Sequence, residues 1–202
     1  MEQILDHIIG AGRLLPVTVV AAIILFGVKE GIEANRRRKA NSRKRQAVRR
    51  LIADEIERNN WAIKRLRDGI FQIERHLVEA NSKISIQVSA LGERYVRREE
   101  DGEMASQFPI GKVYSEVLSA NLLVLGEIDE AIFDEALNVN DAIKELDHVC
   151  TSMIEILSKN NDRGFLEGFA DHAKKEIADC EKTLQSFYQN VTGRALETHR
   201  IR

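Results

Sequence analysis

Five histidines and two cysteines are the residues of this 202-residue chain best suited to metal binding or nucleophilic chemistry, and their spacing decides between those uses. A dinuclear metal centre in a helical bundle draws a Glu-x-x-His pair from each of two helices and a Glu from each of two others. One such pair occurs, Glu145 with His148. Both positions fall off the apolar seam marked by Ile143, Leu146 and Cys150, so they are expected to face solvent. His76 and His172 have acidic neighbours but no partner pair, and read as surface histidines. The sequence has no Walker-type glycine loop, no G-x-S-x-G and no H-E-x-x-H. No catalytic, cofactor or metal residues are therefore expected, and the chain is not expected to be an enzyme.

Cys150 and Cys180 both lie on apolar stripes, where cysteines of a reducing compartment serve as small core residues. With a turn centred near Asn161, Cys150 lies opposite about His172. Cys180 is then displaced by about eight residues, roughly 12 Å along the axis, too far for a disulfide. Asn190-Val191-Thr192 fits a glycosylation sequon, which would be inert on a cytoplasmic side.

Contact with phosphate or anionic lipid is the other chemistry on offer. Lys29 to Arg50 holds ten Lys or Arg against Glu30 and Glu33, a net of +8. The candidate contacts are Arg36, Arg37, Arg38, Lys39, Arg43, Lys44, Arg45, Arg49 and Arg50. Three readings stand side by side. The stretch is a topology signal and solvated helix surface; or it lies on anionic lipid, each cation contributing about 1 kcal/mol before screening; or it neutralises nucleic-acid phosphates without reading sequence. No aromatic residue lies between Phe26 and Trp61, so stacking on single strands is unsupported.

The elements that must position these residues begin with Leu14 to Val28, fifteen residues without a charge. Extended back to Ile8, the run reaches roughly 32 Å, enough to cross a bilayer, with Arg13 near its end. Pro16 falls in the first turns, where few hydrogen bonds are lost. Cations follow the run rather than precede it, which argues against a cleaved signal peptide and places the N-terminus outside and the rest in the cytoplasm. Gly27 and Gly31 are spaced as GxxxG, a weak hint of span dimerisation. The basic segment is local, since residues 1–28 carry a net of −1 and residues 51–202 a net of −9.

Beyond the basic segment, three long stretches share one period. Ile52, Ile56, Asn59, Ile63, Leu66, Ile70, Ile73 and Leu77 step alternately by four and three. So do Ile132, Ala136, Val139, Ile143, Leu146, Cys150, Met153 and Leu157, after Asp129 as N-cap. Leu166, Ala170, Ala173, Ile177, Cys180, Leu184, Phe187 and Val191 complete the last helix, which Gly193 stops. Such stripes keep one seam facing a partner helix. Asn59, the one polar member of the first, specifies register or oligomer state, or else sits partly exposed near a bundle end. Trp61 lies off the seam and is expected to pack. Ile84, Val88, Leu91 and Tyr95 suggest a further helical segment, although the alternation of Ile84, Ile86 and Val88 also suits a short strand. Arg97 to Pro109 is expected to be a charged surface loop, Ile110 to about Leu125 a short helix ended by Gly126, and Arg194 to Arg202 a frayed tail.

The fold expected is thus all-α: a transmembrane helix within 1–28, a basic juxtamembrane segment over 29–50, and a cytoplasmic antiparallel bundle with coiled-coil-like seams over 51–193. The apolar span together with Leu51, Glu55, Ile56, Asn59 and Ile63, and a second block from Phe108 through Tyr114, Leu118, Leu122 and Leu125, resembles a diffuse group of uncharacterised bacterial single-pass, membrane-anchored helical proteins. That resemblance implies a bacterial inner membrane and no activity. The expected function is a non-enzymatic interaction or scaffold module at that membrane, whose partners are the lipid bilayer and a protein or second copy met through the helix seams. An oligomerising membrane effector and a membrane-tethered nucleic-acid binder are the alternatives.

Overall fold

The computed structural model describes residues 16–159 and 162–197. In chain order the elements are helix α1 Val17–Val78, strands β1 Ser82–Val88, β2 Arg94–Glu100 and β3 Glu103–Pro109, and helices α2 Glu116–Ile128, α3 Glu130–Ser158 and α4 Arg163–Thr192. The chain divides into two compact units, Met1–Gln46 and Ala47–Arg202, so the boundary falls inside α1.

In the first unit, Val17 onward is helical and its large apolar side chains stay in solvent: Val17, Ile23, Ile24, Leu25, Phe26, Val28 and Ile32 are all more than half exposed. Among the described residues no helix is long and apolar enough to cross a membrane. From Val17 the uncharged run lasts twelve residues, to Val28. That is about 18 Å against a hydrocarbon thickness of about 30 Å. Lys29, Glu30 and Glu33 follow within five residues. The expected single-pass inner-membrane anchor, with its outside N-terminus and cytoplasmic domain, is corrected accordingly; the part of it from Ile8 to Leu15 lies outside the described residues.

In the second unit the three stripes close on one another. Every stripe position named above on α1, α3 and α4 is buried except Leu77 and Val191, which are partly buried against the same core. Contacts give the directions. Glu57 accepts from the Tyr188 hydroxyl, Arg67 pairs with Glu181 and Lys174 with Glu74, so α1 and α4 run antiparallel. Arg49 pairs with Asp129 and Gly69 abuts Met153, so α1 and α3 run parallel. Asp162 caps α4 by accepting the Gly164 N–H, and Gly193 ends it in the left-handed region at φ 71°. The turn centre expected at Asn161 lies outside the described residues.

The all-α expectation needs a correction after α1. The chain there forms a three-stranded antiparallel sheet, β1-β2-β3, in place of the helix expected over Ile84 to Tyr95 and the loop expected over Arg97 to Pro109. Asp101 and Gly102 carry φ of 52° and 86°, the backbone of a two-residue hairpin turn that Asp-Gly favours. The sheet's inner face carries Ile84, Ile86, Val96 and Phe108, and Val96 reaches Gly69 of α1. Two further boundaries move. Helix α2 starts at Glu116, leaving Ile110 to Ser115 without regular secondary structure, and continues through Gly126 to Ile128. The tail as far as Glu197 is held, because Leu196 is buried and Asn60 donates to the Glu197 carbonyl.

Two glycines test this packing. A Cβ on Gly111 would sit 2.8 Å from the Ala62 Cα, whereas one on Gly168 in α4 would meet nothing within 4 Å. Gly111→Ala should lower stability by about 1–3 kcal/mol through overpacking, and Gly168→Ala should raise it by about 0.5–1 kcal/mol through helix propensity. Urea unfolding midpoints of the two variants check both signs.

Candidate interaction surfaces

The sequence-predicted cations separate into two groups. Arg36, Arg37, Arg38, Lys39, Arg43, Lys44 and Arg45 are exposed on the first unit, with Arg37 paired to Glu33 at 3.1 Å. Successive residues turn by about 100°, so four consecutive cations ring the helix instead of lining one side. Arg50 is exposed on the second unit. Arg49 is not available for phosphate, because its Nε and NH2 hold the Asp129 carboxylate at 2.5 and 2.9 Å. Asp129 is buried at the junction of α2 and α3, and its carboxylate makes no cap bond to α3.

Asn59 is fully buried and meets the backbone of the segment between β3 and α2. Its Nδ2 donates to the Tyr114 carbonyl at 2.6 Å, and the Tyr114 N–H donates to its Oδ1 at 2.8 Å. The amide thus fixes where Tyr114 lies along α1. The Tyr114 ring is flanked by Arg58 and Lys112, 5.6 and 5.1 Å from its centroid. One turn earlier on α1, buried Glu55 accepts the Leu118 N–H at 2.8 Å and so serves the first turn of α2, whose own N-cap Ser115 makes no cap bond. Its other oxygen, Oε1, has no hydrogen-bond partner among the described residues. Burial raises the Glu55 pKa, the Leu118 N–H opposes that, and Glu116 adds to it.

A second polar cluster, missed by the sequence reading, lies where α1 meets the sheet. Arg98 is buried, donates to Gln72 at 3.1 Å and to Glu100 at 3.2 Å, and pairs with Glu79. Ser106 donates to the same Gln72 oxygen at 2.6 Å. His76, read as a surface histidine, is instead buried beside this cluster. The position of Gln72 and His76 on the inward face of α1 was the available signal, obscured because both fall between apolar stripe residues.

Between α3 and α4 lies a groove of about 370 Å³, walled by Val149, Ile156, Phe165 and Phe169 with His148 and His172 among its lining residues. Both histidines are exposed, as their off-seam positions predict, and Glu145 is half-buried. Cys150 and Cys180 are free and buried. Burial pushes their thiols up to about 11 and about 12, so neither supplies a thiolate nucleophile near neutral pH. Trp61, expected to pack, is instead exposed, with the Lys64 ammonium 5.2 Å from its ring centroid.

Two substitutions on α1 test these assignments. Asn59→Leu should cost about 3 kcal/mol, because it strands the Tyr114 N–H and C=O away from water. Chemical denaturation measures that. Glu55→Gln keeps an acceptor for the Leu118 N–H and removes the buried charge. A carboxyl whose folded pKa is raised loses stability as pH rises through its ordinary value, so the Gln variant should be the more stable at neutral pH. Its advantage should fade as pH falls below about 4.5, where the wild-type group is neutral in both states. Urea midpoints across that range check the sign.

No protein family, characterised protein or solved structure matches the chain.

Proposed function

We propose that the chain is a non-enzymatic helical interaction module, in which the second unit is a closed scaffold and residues 17–46 of the first are the recognition element. One observation carries this reading. The stripes of α1 beyond Ala47, α3 and α4 are consumed within the chain, while nine large apolar side chains between Val17 and Ile32 remain exposed. Scattered exposed apolar residues are ordinary, but a contiguous set of this kind marks a surface that is covered in use.

The distribution around the helix says what kind of cover suits it. Ile24 and Phe26 lie about 200° apart, and Val17 to Val28 is apolar on every side. A flat docking face would leave half of these side chains in water. A cleft or a group of partner helices removes all of them. The ring of cations that follows favours a partner with an acidic rim, and contributes to encounter rate and orientation more than to affinity.

The test is capture of the partner by the full chain carrying a photocrosslinker at Leu25, with and without Ile24→Glu and Phe26→Glu together. Both substitutions should leave the second unit's unfolding midpoint unchanged while reducing the crosslinked partner by at least about tenfold. Equal crosslinking with and without the substitutions would refute the assignment of the recognition element.

A further inference from the structure

The end of α1 and the start of the sheet hold a histidine that the scaffold role leaves unexplained. His76 and Ser82 are 8% and 7% exposed. Among the described residues neither His76 Nδ1 nor Ser82 Oγ has a hydrogen-bond partner. Charges from Glu79, Arg98 and Arg163 act on the His76 ring. Just past the end of α1 stands Glu79, whose Oε1 accepts from Arg75 at 3.0 Å and whose Oε2 is taken by Arg98. From β2 come Arg98 and Glu100, 3.2 Å apart. From α4 comes Arg163, which donates to the Glu79 backbone carbonyl at 3.0 Å. The Glu79 carboxylate is thus already engaged by two guanidiniums.

We infer that His76 is a proton-sensitive latch between the helices and the sheet. Its neutral ring fits the junction; a second ring proton would put a positive charge into a site only 8% exposed, beside Arg98 and Arg163, and so loosen Ser82–Pro109 from α1. Hydrogen bonds along the strands keep the sheet itself intact, so the weak point is its seating on the helices.

The electrostatics agree with the geometry. Burial, then the charge of Arg163 and of Arg98, hold the imidazole below its ordinary pKa, against the pull of a backbone hydrogen bond with Ser82 and of Glu79. A histidine kept neutral in the folded state leaves stability intact above about pH 6.5. Stability is lost as pH falls below that, by up to about tenfold in the opening equilibrium per pH unit until the folded pKa is passed.

Amide hydrogen exchange on the full chain at about pH 7.5 and about pH 5.5, corrected for intrinsic rates, reads this directly. In the wild type, protection of Ser82–Pro109 amides should fall by up to about tenfold relative to α3 amides, and in His76→Gln the two sets should keep their ratio. No fall in the wild type, or the same fall in the variant, overturns the latch. Should the variant not fold, titration of the wild-type His76 ring by NMR decides instead, with its signal assigned by substituting the four other histidines. A midpoint below about 6.5 is expected, and one at or above it overturns the inference.

Discussion

The second unit depends on removing one stripe of α1, from Val48 to Leu77, from water. It packs in a single core with the stripes of α3 and α4. Burying one Ile or Leu stabilises by about 1.5–3 kcal/mol, while a hydrogen bond nets about 0.5–1.5 kcal/mol. The seven stripe positions from Ile52 to Ile73 include six apolar side chains with at most 2% exposure. Their summed burial therefore outweighs any single polar contact in the unit, and the helices are arranged around it.

Apolar burial has no direction, however, and does not decide where non-helical pieces attach. That role falls to the polar residues on the inward side of α1. Asn59 and Glu55 meet the backbone at Tyr114 and Leu118, which positions the irregular segment after β3 and the first turn of α2. Gln72, two turns before the end of α1, receives Arg98 from β2 and Ser106 from β3. Each contact joins α1 to a piece of chain that lacks a long apolar stripe of its own. Misplacing one would leave a buried polar group without a partner, at a penalty of about 1–3 kcal/mol. The polar contacts thus add specificity where the stripes supply bulk stability.

The three stripes were legible residue by residue because a helix writes its buried side at a fixed period. The Gly193 stop and the antiparallel α3–α4 pair follow from the same reading, whereas the Asp162 cap emerges only from the structure. The sheet was legible only in part: the alternation of Ile84, Ile86 and Val88 suited the strand that forms there as β1, but β2 and β3 left no such mark. Ile84, Val88, Leu91 and Tyr95 satisfy a helical period by coincidence, and β2, Arg94–Glu100, hides its alternation because its inward positions include Arg98 as well as Val96. A buried arginine looks like a surface residue until Gln72 and Glu79 are seen to hold it. Asp101-Gly102 was the one local signal for the hairpin. Asn59 stood out as the polar break in a stripe, but the segment that satisfies it is 55 residues away and leaves no mark near it.

Residues 17–46 follow a different logic from the rest of α1. Val17, Thr18, Val19, Val20, Ile23 and Ile24 are β-branched, and Gly27 and Gly31 follow, so the apolar half has poor intrinsic helix propensity. The cationic half, rich in Arg, Lys and Ala, has good propensity but repels itself. In water a helix of this composition gains little from local interactions and normally relies on packing. Yet among the described residues its large apolar side chains find no cover. On the proposed reading, a partner that covered Val17 to Ile32 would both remove apolar surface from water and contribute stability to the helix that presents it, coupling recognition to the ordering of the segment.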